Sequence, residues 1–392
     1  MRILAIGNMY PPHHLGGYEL IWRSAVRHHR AAGHHVRVLT SDVRFGEPDE
    51  ADDPECFRVL RWYWRDHGWP RLSPRQRLAL ERDNARTLGR HIADFRPDVA
   101  AWWAMGGMSL SLPARAGVPG AAFVLDDWLD YAPGEDQWQR LFAGRRRALA
   151  PLGRALGGAP VRFSPAAIDH WVFISEYTRE RARRHGLESC SSEVNPAGVG
   201  EEFLQAVPAQ PWAWRLLYVG RIDERKGIDT AVRALAQLPA EATLDVVGSG
   251  DDEAERRLRA LVAELRLEAR VRFTGILPRD ELPARYAAAD AALFPVRWRE
   301  PWGVVPLEAM GVGRPVVATG RGGSGEYLRD GENALLFEAD DAAALAAQVR
   351  RLAGDEALRK RLRAAGLKTA RRHTAARHDA RATAVLEGLR RA

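Results

Sequence analysis

Ala291-Ala292-Leu293-Phe294, a loop running to Trp302, the segment Gly303-Val304-Val305-Pro306-Leu307-Glu308-Ala309-Met310-Gly311-Val312, and then Pro315-Val316-Val317-Ala318 read in order as strand, helix and strand. Two short apolar runs joined by a helix-length crossover are the unit of a parallel sheet, and runs that are apolar throughout suit strands covered on both faces. The alternation extends outward from this unit. In the same half it predicts strands at 216–219, 244–247, 271–274 and 334–337, with helices near 227–237, 252–265 and 341–353. In the first half it predicts strands at 2–6, 35–40, 57–62, 99–103, 121–125 and 169–174. Between the halves lies Gln205–Trp214 (QAVPAQPWAW), whose two prolines mark an interdomain linker. The expectation is α/β throughout: two Rossmann-like doubly wound domains, residues 1–207 and 208–372, facing across a cleft. The segment 355–391 is helical by composition, and its last part, 373–392, is expected to pack back on the first domain.

Composition narrows the function classes. The chain has 392 residues, 46% of them apolar and 28% charged, which is globular composition and enough chain for two cores. It opens on the strand-like Arg2-Ile3-Leu4-Ala5-Ile6 without a charged leader, and no window approaches the roughly 18 apolar residues of a spanning helix. A soluble cytoplasmic protein without signal peptide or anchor is expected. Cys56 and Cys190 stand apart from any Cys/His cluster and read as small hydrophobes, so no disulfide framework or zinc site is expected. The net charge of +7 resides in residues 359–392, where eleven Lys/Arg oppose Asp379 and Glu387.

In open α/β sheets ligands bind beyond the carboxyl ends of the strands, so the chemistry is sought in the loops there. The first such loop, Asn8 to Gly17, ends in Gly16-Gly17 at a helix start, where backbone N–H groups and the helix dipole favour an anion. The Gly-x-Gly-x-x-Gly fingerprint is absent after this strand, which argues against a dehydrogenase. After the first strand of the second half, Gly220-Arg221-Ile222-Asp223-Glu224-Arg225-Lys226-Gly227 puts two cations, Arg221 and Lys226, where a diphosphate could be neutralised. Glu300 then falls in a post-strand loop and Glu308 on the following helix, two carboxylates that can accept hydrogen bonds from vicinal hydroxyls of a sugar or ribose. Gly320-Arg321-Gly322-Gly323-Ser324-Gly325-Glu326 repeats the glycine-rich approach to a helix.

With these elements in this order, the chain resembles the retaining family 4 glycosyltransferases of the GT-B fold over nearly its whole length. The family's Glu-x7-Glu signature is matched by Glu300 and Glu308, and its Gly-Gly-x-Glu loop by Gly16, Gly17 and Glu19. Its Gly-Arg…Lys-Gly element is matched by Gly220, Arg221, Lys226 and Gly227, and its Gly-Gly-x-x-Glu loop by Gly322, Gly323 and Glu326. The resemblance implies that Glu308 holds the ribose, Glu300 a hydroxyl of the donor sugar, and Arg221 with Lys226 the diphosphate. Gly16, Gly17, Trp302, Gly303 and Val304 complete the donor side so implied. It implies further a metal-independent hexosyltransferase with no cofactor, the nucleotide diphosphate sugar being a substrate, that acts with retention and without a protein nucleophile. No His/carboxylate cluster has metal spacing, and Asp251-Asp252 and Asp340-Asp341 read as acids at helix starts. One departure stands out. Where the family shows His-Asp, this chain has Asp126-Asp127-Trp128, which alters charge and hydrogen bonding at the reacting centre.

Asp126 is therefore placed with Arg221, Lys226 and Glu300 as catalytic, while His13, His14, Asp127 and Trp128 are assigned to an acceptor of unassigned identity. Nine of the thirteen tryptophans precede the linker, and the run Arg61-Trp62-Tyr63-Trp64-Arg65 offers further aromatic surface for a sugar or an apolar acceptor. The basic segments Arg145-Arg146-Arg147 and 359–391 read as solvated helix faces in preference to a membrane contact, and no motif accompanies them that would read nucleic acid. Two alternatives use the same scaffold: a catalytically silent protein that binds sugar nucleotides, and a sugar-nucleotide epimerase or phosphorylase.

Overall fold

The computed structural model describes residues 1–45, 50–64, 68–158 and 160–391. They form two compact units, Met1–Pro196 with His378–Ala392, and Ala197–Arg377.

The first unit is built on strands β1 (Arg2–Ile6), β2 (His35–Ser41), β3 (Cys56–Leu60), β4 (Val99–Trp102), β5 (Gly120–Val124), β6 (His170–Phe173) and β7 (Ser192–Val194). All pair in parallel, in the order β3-β2-β1-β4-β5-β6-β7. The order reverses between β1 and β4, and this switch point leaves the loops after those strands free to splay apart. The central strands β4 and β5 are wholly buried and β1 is buried from Ile3 onward, as their apolar runs require. β7, short, polar and at the sheet edge, escaped the sequence expectations.

The second unit repeats the plan with β8 (Arg215–Val219), β9 (Thr243–Val247), β10 (Val271–Gly275), β11 (Ala291–Phe294), β12 (Val316–Ala318) and β13 (Leu335–Leu336), in the parallel order β10-β9-β8-β11-β12-β13. Its switch point lies between β8 and β11, so the loop holding Arg221 and Lys226 and the loop holding Glu300 are neighbours by topology. Side-chain caps fix the helix starts. Asp251 accepts the Ala254 N–H at 2.7 Å and Asp341 that of Ala344 at 2.8 Å, the role their positions suggested.

Two expectations are corrected. Gln205–Trp214 is no linker: Asp290 accepts the N–H groups of Ala213 and Arg215 at 2.9 and 2.8 Å, Trp212 and Trp214 pack on the core of the second unit, and the division falls at Pro196 and Ala197. Proline marked irregular backbone correctly, but a buried carboxylate holds that backbone down. The segment 355–391 is two helices, Glu356–Arg372 and Ala375–Arg391, because Val199 exchanges backbone hydrogen bonds with His373 and Ala375 and so interrupts the helical ladder. Residues from His378 onward belong to the first unit, where Ser24 donates to Asp379 at 2.6 Å and His29 meets Thr383 at 2.7 Å.

Candidate active site

At the switch point of the second unit, Gly227 has φ +66, and a Cβ there would lie 2.0 Å from the Pro295 carbonyl oxygen. Only glycine lets the loops after β8 and β11 meet backbone to backbone, and the Arg297 N–H seals the contact on the Arg225 carbonyl at 2.8 Å. A second close approach fixes Glu300: its carbonyl accepts the Gly323 N–H at 2.7 Å, and a Cβ on Gly322, φ +73, would lie 2.4 Å from that oxygen. Three glycine-bearing loops thus determine where Lys226 and Glu300 stand.

Their side chains meet. Lys226 Nζ lies 2.8 and 2.9 Å from the two carboxylate oxygens of Glu300, both side chains being largely buried. The Trp298 indole N–H also donates to Glu300, and the Lys226 ammonium sits 5.6 Å above the Trp298 ring. Arg221 stands apart, its side chain 52% exposed and 3.7 Å from Asp223. Asp223 is held down at about 2, chiefly by its hydrogen bond with the Arg225 side chain. Glu308 is buried on helix Val305–Val312 and pairs with other residues: Arg279 Nη1 at 3.0 Å and the Tyr286 hydroxyl at 2.9 Å. Burial raises its pKa, and Arg279 and Tyr286 oppose that rise. Gly303 and Val304 stay partly open at the start of that helix, whereas the Trp302 side chain is enclosed, its indole N–H spent on the Ala197 carbonyl at 2.9 Å. What Trp302 can offer a ligand is therefore its backbone. Tyr327 supports the same turn, donating to the Gly303 carbonyl at 2.5 Å.

At the switch point of the first unit, Gly16 and Gly17 are exposed at the start of helix Gly17–Ala31, and Glu19 accepts the Gly16 N–H at 3.2 Å. Asp126, beyond β5, accepts from the Trp128 N–H at 3.2 Å and the Tyr131 hydroxyl at 3.3 Å. Burial pushes its carboxyl up to about 7, with the Trp128 N–H opposing and the charges of Asp127 and Glu19 adding to the rise. Asp127 faces Arg181 at 3.4 Å. Two acceptor assignments are corrected. Trp128 is fully buried between Trp171 and Phe163, at centroid distances of 6.2 and 6.3 Å, and offers no face to a sugar. His13 is also buried, its Nδ1 taking the Phe45 N–H at 3.1 Å, and burial lowers its pKa. His14 is partly exposed, with Nδ1 3.1 Å from the Pro12 carbonyl. Trp62 spends its indole N–H on Gly106 at 2.9 Å, and Arg65 lies outside the described residues. Among the described residues, no group of three His, Cys, Asp or Glu side chains is placed to hold a metal ion.

Sequence reasoning missed Arg279, Tyr286, Trp298 and Tyr327. Trp298, two residues before Glu300, could have been found by proximity. Arg279 is one of many arginines, and nothing local distinguishes it.

Comparison with known proteins decides the family. Residues 15–203 match the model of Glycosyltransferase Family 4, and residues 201–369 that of Glycosyl transferases group 1. The chain belongs to the family 4 glycosyltransferases of the GT-B fold. This glycosyltransferase is similar to the GDP-mannose-dependent alpha-(1-6)-phosphatidylinositol monomannoside mannosyltransferases of Mycolicibacterium smegmatis and Mycobacterium tuberculosis. Identity to the former is 31% over 260 residues, covering 59% of this chain and just under two thirds (66%) of that enzyme. To the latter it is 27% over 358 residues, covering 86% and 85%. Among solved structures, its fold matches sucrose-phosphate synthase from Thermosynechococcus elongatus with a TM-score of 0.75 and 24% identity over 99% of this chain and 98% of that one. HepE of Anabaena, solved in complex with UDP-glucose, gives 0.71 at 20% identity over 99% and 100%.

Proposed function

We propose that this glycosyltransferase moves a hexose from a nucleotide diphosphate sugar to an acceptor with retention at the anomeric carbon. One observation carries it: the cation Lys226 and the carboxylate Glu300 stand side by side at the switch point of the second sheet, suited to the diphosphate and to a sugar hydroxyl. The donors in the names of its relatives, GDP-mannose and UDP-glucose, support a hexose on a nucleoside diphosphate. As the bond from the anomeric carbon to phosphate oxygen breaks, negative charge grows on the diphosphate. Lys226 and Arg221 meet that charge and stabilise the transition state more than the ground state. The acceptor oxygen forms its bond on the same face of the ring and its proton passes to the departing phosphate, so no carboxylate nucleophile is required. Glu308, kept in place by Arg279 and Tyr286, accepts the ribose hydroxyls, and Asp126 in its ionised form accepts a hydroxyl of the reacting sugars.

A panel of uridine, guanosine, adenosine and thymidine diphosphate hexoses, read first by thermal shift and then by release of nucleoside diphosphate with candidate acceptors, tests the proposal. A donor that binds and is consumed, with the product anomer matching the donor, supports it. Asp126 in place of the family histidine favours a second reading, a silent binder, and binding without turnover across acceptors would identify that.

A further inference from the structure

We infer that residues 144–157 form a docking surface for an anionic lipid bilayer. The segment is a 3₁₀ turn, Gly144–Leu149, running into helix Ala150–Gly157. Its packed face is made of glycines. A Cβ on Gly153 would lie 2.3 Å from the Phe142 ring and one on Gly157 2.5 Å from the Trp138 ring, so the helix axis is drawn close to the unit beneath it. Its end is anchored by Arg115 on the Gly157 carbonyl at 3.0 Å and Arg82 on the Leu156 carbonyl at 2.9 Å. With glycine inside, the leucines are left outside: Leu149, Leu152 and Leu156 are 51%, 56% and 46% exposed. Spacings of three and four residues put them on one face. A helix ordinarily buries such a stripe; here it faces water.

The charge around the stripe selects the partner. Arg145, Arg146, Arg147 and Arg154 are exposed, and among the described residues none has an ion-pair partner. From Gln137 to Ile168 the chain holds six arginines and no acid. The other basic segment differs in that several of its cations are engaged: Arg363 donates to the Gly313 carbonyl at 3.0 Å, Arg381 pairs with Glu193, and Lys360 lies 2.7 Å from Glu356. Leucines set among unpaired arginines match a bilayer boundary, where the apolar side chains enter and the guanidinium groups meet headgroup phosphates. A nucleic-acid surface would use the cations and leave the leucines idle.

The test is flotation of the whole chain with phosphatidylcholine vesicles, with and without phosphatidylglycerol, at low and high salt. No donor or acceptor is present, so the outcome is independent of transfer. The chain is expected to float with phosphatidylglycerol vesicles at low salt only. R145Q/R146Q/R147Q is expected to lose about 10²-fold in partitioning, roughly fivefold per arginine. L149Q/L152Q/L156Q is expected to lose at least about tenfold while its melting temperature stays within a few degrees, since the side chains are already in water. Leu152→Gln alone should move in the same direction. Equal flotation on neutral and anionic vesicles, or undiminished flotation of the leucine variant, would overturn the inference. So would absence of flotation together with a dimer that the leucine variant converts to monomer, which would assign the stripe to a second copy, or retention on an oligonucleotide in place of vesicles.

Discussion

Lys226 and Glu300 face each other across the switch point of the second sheet, the ammonium within 2.9 Å of both carboxylate oxygens. The cation proposed for the diphosphate is thus already matched by the carboxylate proposed for the sugar, and a donor must compete for both. Glu300→Gln removes the competing charge. It is expected to tighten binding of nucleoside diphosphate by a few fold while slowing transfer at least about tenfold, as calorimetry and initial rates would register. Lys226→Ala should slow transfer more than it weakens donor binding, and equal losses in both would confine the lysine to ground-state binding.

Glu308→Ala leaves Arg279 and Tyr286 without their common partner and removes the proposed ribose acceptor. Nucleotide affinity is expected to fall by about 1–3 kcal/mol. Tyr286→Phe removes one hydrogen bond but keeps the carboxylate, so affinity should change by less than about 1 kcal/mol in the same titration. Unchanged affinity in Glu308→Ala would end the ribose assignment.

Burial pushes the Asp126 carboxyl up from 3.8 to about 7. If its ionised form accepts a sugar hydroxyl, transfer rises with pH through about 7. Asp126→Asn should flatten that limb of the rate profile. A profile unchanged in the variant would remove Asp126 from the reacting centre.

Asp379, which fastens the second of the two terminal helices, is likewise raised from 3.8 to about 7 by burial, with the Ser24 hydroxyl opposing. The folded chain therefore holds this proton more tightly than the unfolded chain, and the cost of ionising the group grows from about pH 4 to about pH 7. Asp379→Asn should stabilise the chain by up to about 4 kcal/mol above pH 7 and by nothing below pH ~4, followed by thermal melting at both extremes.

Gly227→Ala places a methyl carbon 2.0 Å from the Pro295 oxygen at φ +66. A loss of at least about 2 kcal/mol is expected. Gly354→Ala, where nothing lies within 4 Å of the added carbon, serves as the neutral comparison in the same melting experiment.

The strands were legible because buried parallel strands must be apolar throughout, as in Ala121–Val124, and β7 was not because an edge strand such as Ser192–Val194 need not be. Glu300 and Lys226 could be placed from their positions after strands, since the reversal of strand order makes those loops neighbours. Their direct pairing could not, because it depends on backbone approaches at Gly227 and Gly322 that only geometry reveals. The acceptor assignments of His13 and Trp128 missed for one reason. A loop position beyond a strand says where a residue starts, whereas Trp128 and His13 turn back into the core, and burial is a property of everything packed around them.

The division of the chain has a consequence for its synthesis. Residues 197–377 are contiguous and inserted into a unit whose final helix, from His378, lies beyond them. A ribosome therefore finishes the inserted unit before it has made the helix that seats on Ser24 and His29. The half begun first is completed second, and a nascent first unit must wait with that seat uncovered while an entire neighbouring sheet is assembled.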